Sequence, residues 1–194
     1  MKIGVLASQG AFIEHITILK QLDAEAVPVR LPRELKGLDG LIIPGGESTT
    51  ISKLMSAYNL MEKISEMAKG GLPLFGTCAG MIMMAKHITG NGSPSLGLMD
   101  INVRRNAFGR QVDSFETDLF PHFGGSNGAA EKPFRAVFIR APLIRAVHGS
   151  ATIIAEFSDG RIVAARQGRL LATVFHPELT DDDRFHRFFL ELTK

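Results

Sequence analysis

Leu74-Phe75-Gly76-Thr77-Cys78-Ala79-Gly80-Met81 sets the only cysteine of the chain between two glycines, where an apolar run gives way to helical spacing. A Gly-x-nucleophile-x-Gly segment predicts a tight strand-to-helix turn. Residues without a β-carbon flank the central side chain and lift it to the carboxyl edge of a sheet. The helix that follows would aim its first amides and its dipole at the same place, which favours a thiolate. Taken alone, the segment is equally compatible with a buried, inert cysteine, because the pattern is short and a free cysteine packs as a small hydrophobe. What the rest of the chain puts beside Cys78 decides between the two.

Upstream, residues 2 to 7 form an apolar run that ends at Gln9-Gly10, after which Phe12, Ile16 and Leu19 recur at helical spacing. Val27 and Val29 belong to a short extended segment in which Pro28 suits an edge strand, and residues 31 to 36 read as a loop. Gly40 to Ile43 is a strand buried on both faces, stopped by Pro44-Gly45-Gly46. One helix is then expected, capped by Ser48 or Thr49, carrying Ile51, Leu54, Met55, Tyr58, Met61 and Ile64 on one stripe and closed by Gly70-Gly71. After the Pro73 to Phe75 strand and the elbow, a further helix runs through Ile82, Met83 and Lys86. Strands alternating with helices predict right-handed crossovers and a mainly parallel central sheet with helices on both faces.

Downstream the pattern changes. Leu98 to Val103 reads as a strand, Asn106 to Arg110 as a turn, Gln111 to Leu119 as either helix or strand, and Gly124 to Lys132 as a flexible surface loop. Phe134 to Arg140 is extended and ends at Ala141-Pro142. Ala151 to Phe157 and Arg161 to Arg166 flank Ser158-Asp159-Gly160, a hairpin signal. With Leu170 to Phe175 these segments predict an antiparallel group of strands in the last third. Asp181-Asp182-Asp183 opens a final helix that buries Phe185, Phe188, Phe189 and Leu192.

A chain of 194 residues with 45% hydrophobic side chains suits one domain, taken here as 1–194. The net charge of +2 comes from 22 basic and 20 acidic residues spread evenly, which leaves no footprint for nucleic acid or an anionic membrane. One cysteine excludes an internal disulfide, no Cys/His spacing suggests a metal, and no apolar run approaches the roughly 20 residues of a membrane span. A reducing, cytoplasmic setting follows from these features.

A cysteine nucleophile needs a base, and the base needs a group that fixes its tautomer. His176-Pro177-Glu178 follows the Leu170 to Phe175 run and so occupies another strand end. In an extended segment residues i and i+2 face the same side, which would set Glu178 beside the imidazole. The tripeptide alone is also an ordinary turn. Gly45-Gly46 lets the backbone approach closely, so the amides of Gly46 and Ala79 would together form an oxyanion hole. Gly-Gly-Glu-Ser-Thr-Thr also opens a helix as a phosphate loop would, though it lacks a Gly-Lys-Ser/Thr ending and Glu47 would repel phosphate. His15, His87, His122, His148 and His186 are assigned structural or solvated roles. An arginine of the Arg104, Arg105, Arg110 cluster is a candidate for holding a substrate carboxylate.

Together these pieces resemble the class I glutamine amidotransferases, and among them the glutaminase subunits of pyridoxal 5′-phosphate synthase. The resemblance is carried by Gly4 to Gly10 with Glu14-His15, Leu41 to Thr50 (LIIPGGESTT), Phe75 to Ile82 (FGTCAGMI), Arg105 to Glu116 (RNAFGRQVDSFE), Phe138 to Pro142 (FIRAP) and His176 to Thr180 (HPELT). It implies a three-layer, flavodoxin-like α/β fold with Cys78, His176 and Glu178 as the triad. It also implies that Gly46, Glu47 and Ser48, with Arg105, Ile139 and Arg140, bind L-glutamine through side chain or backbone. No cofactor is implied. The expected partner is a separate synthase subunit, docking near Gln9, Gly10 and Gly45 to make the oxyanion peptide productive and to receive ammonia. Two departures stand out: Ser8 replaces the family's usual leucine, and the Gly124 to Lys132 loop is longer than usual. Alternatives on the same fold are a glutaminase for another ammonia-using enzyme, such as imidazole glycerol phosphate synthase, and a non-catalytic regulatory subunit.

Overall fold

The computed structural model describes residues 1–90, 93–105, 114–124 and 132–194. Its first half runs β1 (Lys2–Leu6), α1 (Phe12–Gln21), β2 (Glu25–Val29), β3 (Gly40–Ile43), α2 (Ser48–Ala57), α3 (Leu60–Lys69), β4 (Leu74–Thr77) and α4 (Ala79–Met84). The second half runs β5 (Ala85–Thr89), β6 (Met99–Arg104), β7 (Ser114–Leu119), β8 (Phe134–Ile139), β9 (Leu143–Val147), β10 (Thr152–Glu156), β11 (Ile162–Gln167), β12 (Leu170–Thr173) and α5 (Arg184–Leu192).

Among the described residues one ten-stranded sheet has the order β2-β1-β3-β4-β12-β11-β9-β6-β5, with β10 paired to β11 off this path. The pairs from β2 through β12 are all parallel. β11 is antiparallel to β12, β9 and β10, so the predicted antiparallel group extends the parallel sheet rather than standing apart from it. β7 and β8 form a separate antiparallel pair. Pro28 lies in edge strand β2, where no neighbour calls on the missing amide.

Helices cover both faces, as expected. Successive strand residues point to opposite sides of a sheet. Phe75 packs against His15 of α1 and His186 and Phe189 of α5, whereas a β-carbon at the next residue, Gly76, would meet Gly80 and Met84 of α4. The α5 face carries a cluster of phenylalanine rings in which Phe185 meets Phe175 and Phe134 edge-on at 5.1 and 4.9 Å between centroids. Phe138 of β8 joins Phe175 at 5.6 Å, which fixes the two-stranded unit on the strand end that bears residue 176.

Four expectations change. The single helix after Gly46 is broken at Tyr58-Asn59, because Asn59 takes a left-handed conformation (φ 57°) that starts α3 in a new direction. The helix after the elbow stops at Met84 rather than continuing through Lys86. Ala85 is already extended and pairs with Met99, and Lys86 bonds to Asp100 across the ladder. The ambiguous 111–119 segment is strand from Ser114, with Glu116 and Asp118 both paired to Arg135 of the opposite strand. Finally, β9 is an additional strand that the sequence pattern did not reveal. The expected 106–110 turn and most of the Gly124 to Lys132 loop lie outside the described residues.

Candidate active site

Cys78 follows β4 directly and caps α4 with φ 48° and ψ −103°, a conformation that costs a non-glycine residue about 1–3 kcal/mol and persists only where its surroundings enforce it. The enforcement is visible. The Cys78 amide donates to the Thr173 carbonyl at 2.8 Å. A β-carbon at Gly76 would stand 2.7 Å from the Gly80 carbonyl oxygen, and one at Gly80 would stand 2.6 Å from the Ile43 carbonyl carbon. Three backbone segments therefore close on the elbow, and only glycine fits at either side. Cys78 is 7% exposed, with Sγ 4.0 Å from the Ile139 carbonyl oxygen.

The candidate base, His176, arrives through the sheet. β12 runs parallel to β4 with Thr173 opposite Thr77, so the chain leaving β12 passes beside Cys78. The His176 amide donates to the Val137 carbonyl of β8 at 2.8 Å, and Nδ1 of its ring lies 2.7 Å from Oε1 of Glu178. Pro177 to Leu179 form a 3-10 turn, so Glu178 reaches the ring by a tight turn rather than by the extended spacing expected. Burial by itself would lower the pKa of His176, but hydrogen bonds with Cys78 and Glu178, and their charges, outweigh it and raise it to about 10. The imidazole is therefore protonated at neutral pH, and an adjacent imidazolium favours the nucleophilic thiolate form of a cysteine.

The glycine turn after β3 closes the third side. The Gly45 amide donates to Oγ1 of Thr77 at 3.0 Å, and its carbonyl accepts from the Ala11 amide at 3.3 Å. The Glu47 amide donates to Oε1 of Gln9 at 2.8 Å, and a β-carbon at Gly46 would stand 2.5 Å from that same oxygen. Residues 9 to 11 thus grip the 45–47 turn. Gly46, a candidate oxyanion donor, follows Gly45, the residue packed on the His176 ring and beside Cβ of Cys78, and Ala79, the other candidate, follows Cys78. Nearby, the Ser8 hydroxyl is buried and has no hydrogen-bond partner among the described residues, an environment that would suit an apolar side chain.

Among the other candidates, Glu47 rather than Ser48 or Thr49 caps α2. Its carboxylate accepts from the Thr49 and Thr50 amides at 3.0 and 2.6 Å and from the Thr50 hydroxyl at 2.7 Å. The Thr50 hydroxyl bond is foremost in pulling its pKa down to about 2. Nη2 of Arg105 donates to the hydroxyls of Ser48 and Thr49 and lies 3.9 Å from Glu47 Oε1, which joins Arg105 to Glu47 and Ser48 in one cluster. Ile139 stands over the thiol through its carbonyl. Arg140 follows it at φ 44°, a strained value for arginine, and is exposed.

The sequence assignment of His15 and His186 to ordinary structural roles misses their placement. Both are fully buried, their rings joined by a 2.8 Å contact from Nδ1 of His15 to Nε2 of His186, with Nε2 of His15 3.4 Å from Oε2 of Glu178. The signal was present: His15 falls on the Phe12, Ile16, Leu19 stripe of α1, and His186 lies between apolar positions of α5. A polar ring on a buried stripe must find a partner.

The chain is 58% identical over 192 residues, covering 98% of itself and 94% of its relative, to a protein of Pelotomaculum thermopropionicum named "Pyridoxal 5'-phosphate synthase subunit PdxT". It is 56% identical to a protein of the same name from Moorella thermoacetica, covering 99% of both chains. A crystal structure described as a glutamine amidotransferase superposes with a TM-score of 0.90 at 49% identity, covering 98% of both chains. The structure of PurLQS from Thermotoga maritima shares the fold at a TM-score of 0.72 and 14% identity. A family pattern for the SNO glutamine amidotransferases matches residues 5–194, and the chain belongs to that family.

Proposed function

We propose that the chain hydrolyses L-glutamine to L-glutamate and ammonia and passes the ammonia to the synthase subunit of pyridoxal 5′-phosphate synthase. The observation that carries this reading is the meeting of Cys78, His176 and Glu178 at the carboxyl ends of two adjacent parallel strands, opposite the Gly45-Gly46 turn. Relatives of matching length that bear the name of that synthase's subunit support the choice of product and partner.

The steps follow from charge and position. With the His176 imidazolium beside it, the Cys78 sulfur attacks the side-chain amide carbon of glutamine as the thiolate. The amides of Gly46 and Ala79 are placed to hold the oxyanion of the tetrahedral intermediate. His176 gives its proton to the leaving nitrogen, ammonia departs, and a γ-glutamyl thioester remains on Cys78. His176 then takes a proton from water, which attacks the thioester and releases glutamate. Glu178 fixes the ring with Nε2 toward the thiol and carries the counter-charge. Arg105, beside Ser48 and Glu47, is suited to the α-carboxylate of glutamine, and the backbone at Ile139 and Arg140 to its polar end.

Gly10 is exposed, and its neighbours hold the glycine turn: the Ala11 amide donates to the Gly45 carbonyl and Gln9 accepts from the Glu47 amide, which supports docking of the synthase there, where contact would reset the Gly45-Gly46 peptide. The reaction needs no cofactor on this chain and suits a cytoplasmic enzyme. The test is a glutaminase assay with and without the synthase subunit, coupled to formation of pyridoxal 5′-phosphate. Stimulation by the synthase and loss of activity in Cys78→Ala are expected. Full activity of Cys78→Ala would overturn the triad, and equal turnover with and without the synthase would overturn the gating.

A further inference from the structure

The steps above leave unused a row of buried imidazoles behind the triad. Nε2 of His15 faces two parts of the site at once: it is 3.4 Å from Oε2 of Glu178 and 3.3 Å from Oγ1 of Thr77. Thr77 in turn receives the Gly45 amide at 3.0 Å. One ring on α1 thus touches the group that orients the base and the group that anchors the glycine turn.

Two observations give this contact chemical content. First, the Glu178 side chain has no exposed surface, and Oε2 has no aligned hydrogen-bond partner among the described residues. A buried carboxylate oxygen needs a donor, and Nε2 of His15 is placed to become one when the site tightens around substrate. Second, the proton order in the imidazole pair is constrained. Burial, reinforced by His186 and His176, holds His15 well below its usual pKa, and burial lowers that of His186 to about 4, so each ring carries a single N–H at neutral pH. Were His15 to donate from Nδ1 to His186, its Nε2 lone pair would face a carboxylate. The favourable arrangement has His186 donating from Nε2 to His15, which places the His15 proton on Nε2.

We infer that His15 is a positioning residue for the triad: held by His186 as the Nε2–H tautomer, it steadies Glu178 and, through Thr77, keeps the glycine turn and the His176 ring in one frame. This inference rests on the proposed triad.

Its test is steady-state glutamine hydrolysis in the complex with the synthase subunit, using His15→Leu, His15→Gln, His186→Leu and, as reference, Cys78→Ala, each checked by thermal unfolding. His15→Leu is expected to lower kcat about 10- to 100-fold, the cost of an unpartnered buried acceptor, with KM for glutamine changed less than about twofold because His15 does not touch substrate. His15→Gln, whose side-chain amide can present an N–H toward Glu178, should regain most of that kcat. His186→Leu should lower kcat several-fold without touching Glu178. Wild-type kcat in His15→Leu, or equal losses in His15→Leu and His15→Gln at equal stability, would overturn the inference. Should His15→Leu not fold, unchanged kcat in His186→Leu overturns it. An active Cys78→Ala would instead signal failure of the triad itself.

Discussion

Gly45 lies against the imidazole of His176: a β-carbon at residue 45 would stand 3.0 Å from Nδ1 of the ring and 3.3 Å from Cβ of Cys78. Nδ1 is the nitrogen engaged by Glu178, so the ring cannot yield without lengthening that 2.7 Å contact. Gly45→Ala should therefore reduce kcat about 100-fold by displacing the base, a loss comparable to an ångström-scale misplacement of a catalytic group. Steady-state hydrolysis and the rate of thiol alkylation, compared with thermal stability, check this outcome.

Glu178→Gln keeps the volume but puts an amide where the imidazolium needs a carboxylate. A reduction in kcat of about 10²- to 10⁴-fold is expected, the range from loss of a modest orienting contact to loss of the correct tautomer. KM should change little. Pre-steady-state release of ammonia would show whether thioester formation is the slowed step.

Arg105 bonds to Ser48 and Thr49 at the start of α2, and its proposed role is in binding alone. Arg105→Met should raise KM for glutamine about 10-fold or more, the worth of a charge-assisted hydrogen bond, with kcat within about threefold. Arg105→Lys should recover only part of the affinity, because an ammonium lacks the planar fork. Substrate titration in the synthase complex measures both.

Stability should be greatest near the ordinary histidine pKa of about 6.5 and fall on either side. Toward acid, His15 and His186 are neutral in the folded chain but charged when unfolded. The contribution of His186 is lost as pH falls from 6.5 through about 4, worth on the order of 3 kcal/mol. Toward alkali, His176 is charged when folded and neutral when unfolded, so its contribution fades as pH rises from 6.5 through about 10. Denaturant unfolding across pH tests the sign, and His186→Leu should flatten the acid limb.

The parallel half of the fold was legible because its punctuation is strong. Gln9-Gly10, Pro44-Gly45-Gly46 and Gly70-Gly71 each end an apolar run or stripe where the chain does turn. The break at Asn59 was hidden because Met61 and Ile64 continue the stripe of α2 across it. β5 was hidden because Ala85, Lys86 and His87 have little intrinsic strand preference and are extended through pairing with Met99 to Arg104. At the site, the elbow and the His-x-Glu pair announce themselves locally. Their encounter depends on β4 and β12 being neighbours, which only the topology supplies. The His15 contact is less legible still: its stripe signals burial, but the partner ring lies 171 residues away on another helix.

β12 is the last strand in sequence yet sits between β4 and β11, joining the parallel and antiparallel halves of the sheet. Among the described residues no other ladder links those halves, and without residues 170–173 the Cys78 amide lacks the Thr173 carbonyl that anchors it. Non-local pairings of this kind form late, since loop closure must precede them. Were β12 to pair last, Cys78 would gain its backbone anchor and its proposed base only as the sheet is completed, and labelling of the thiol during refolding would report that stage.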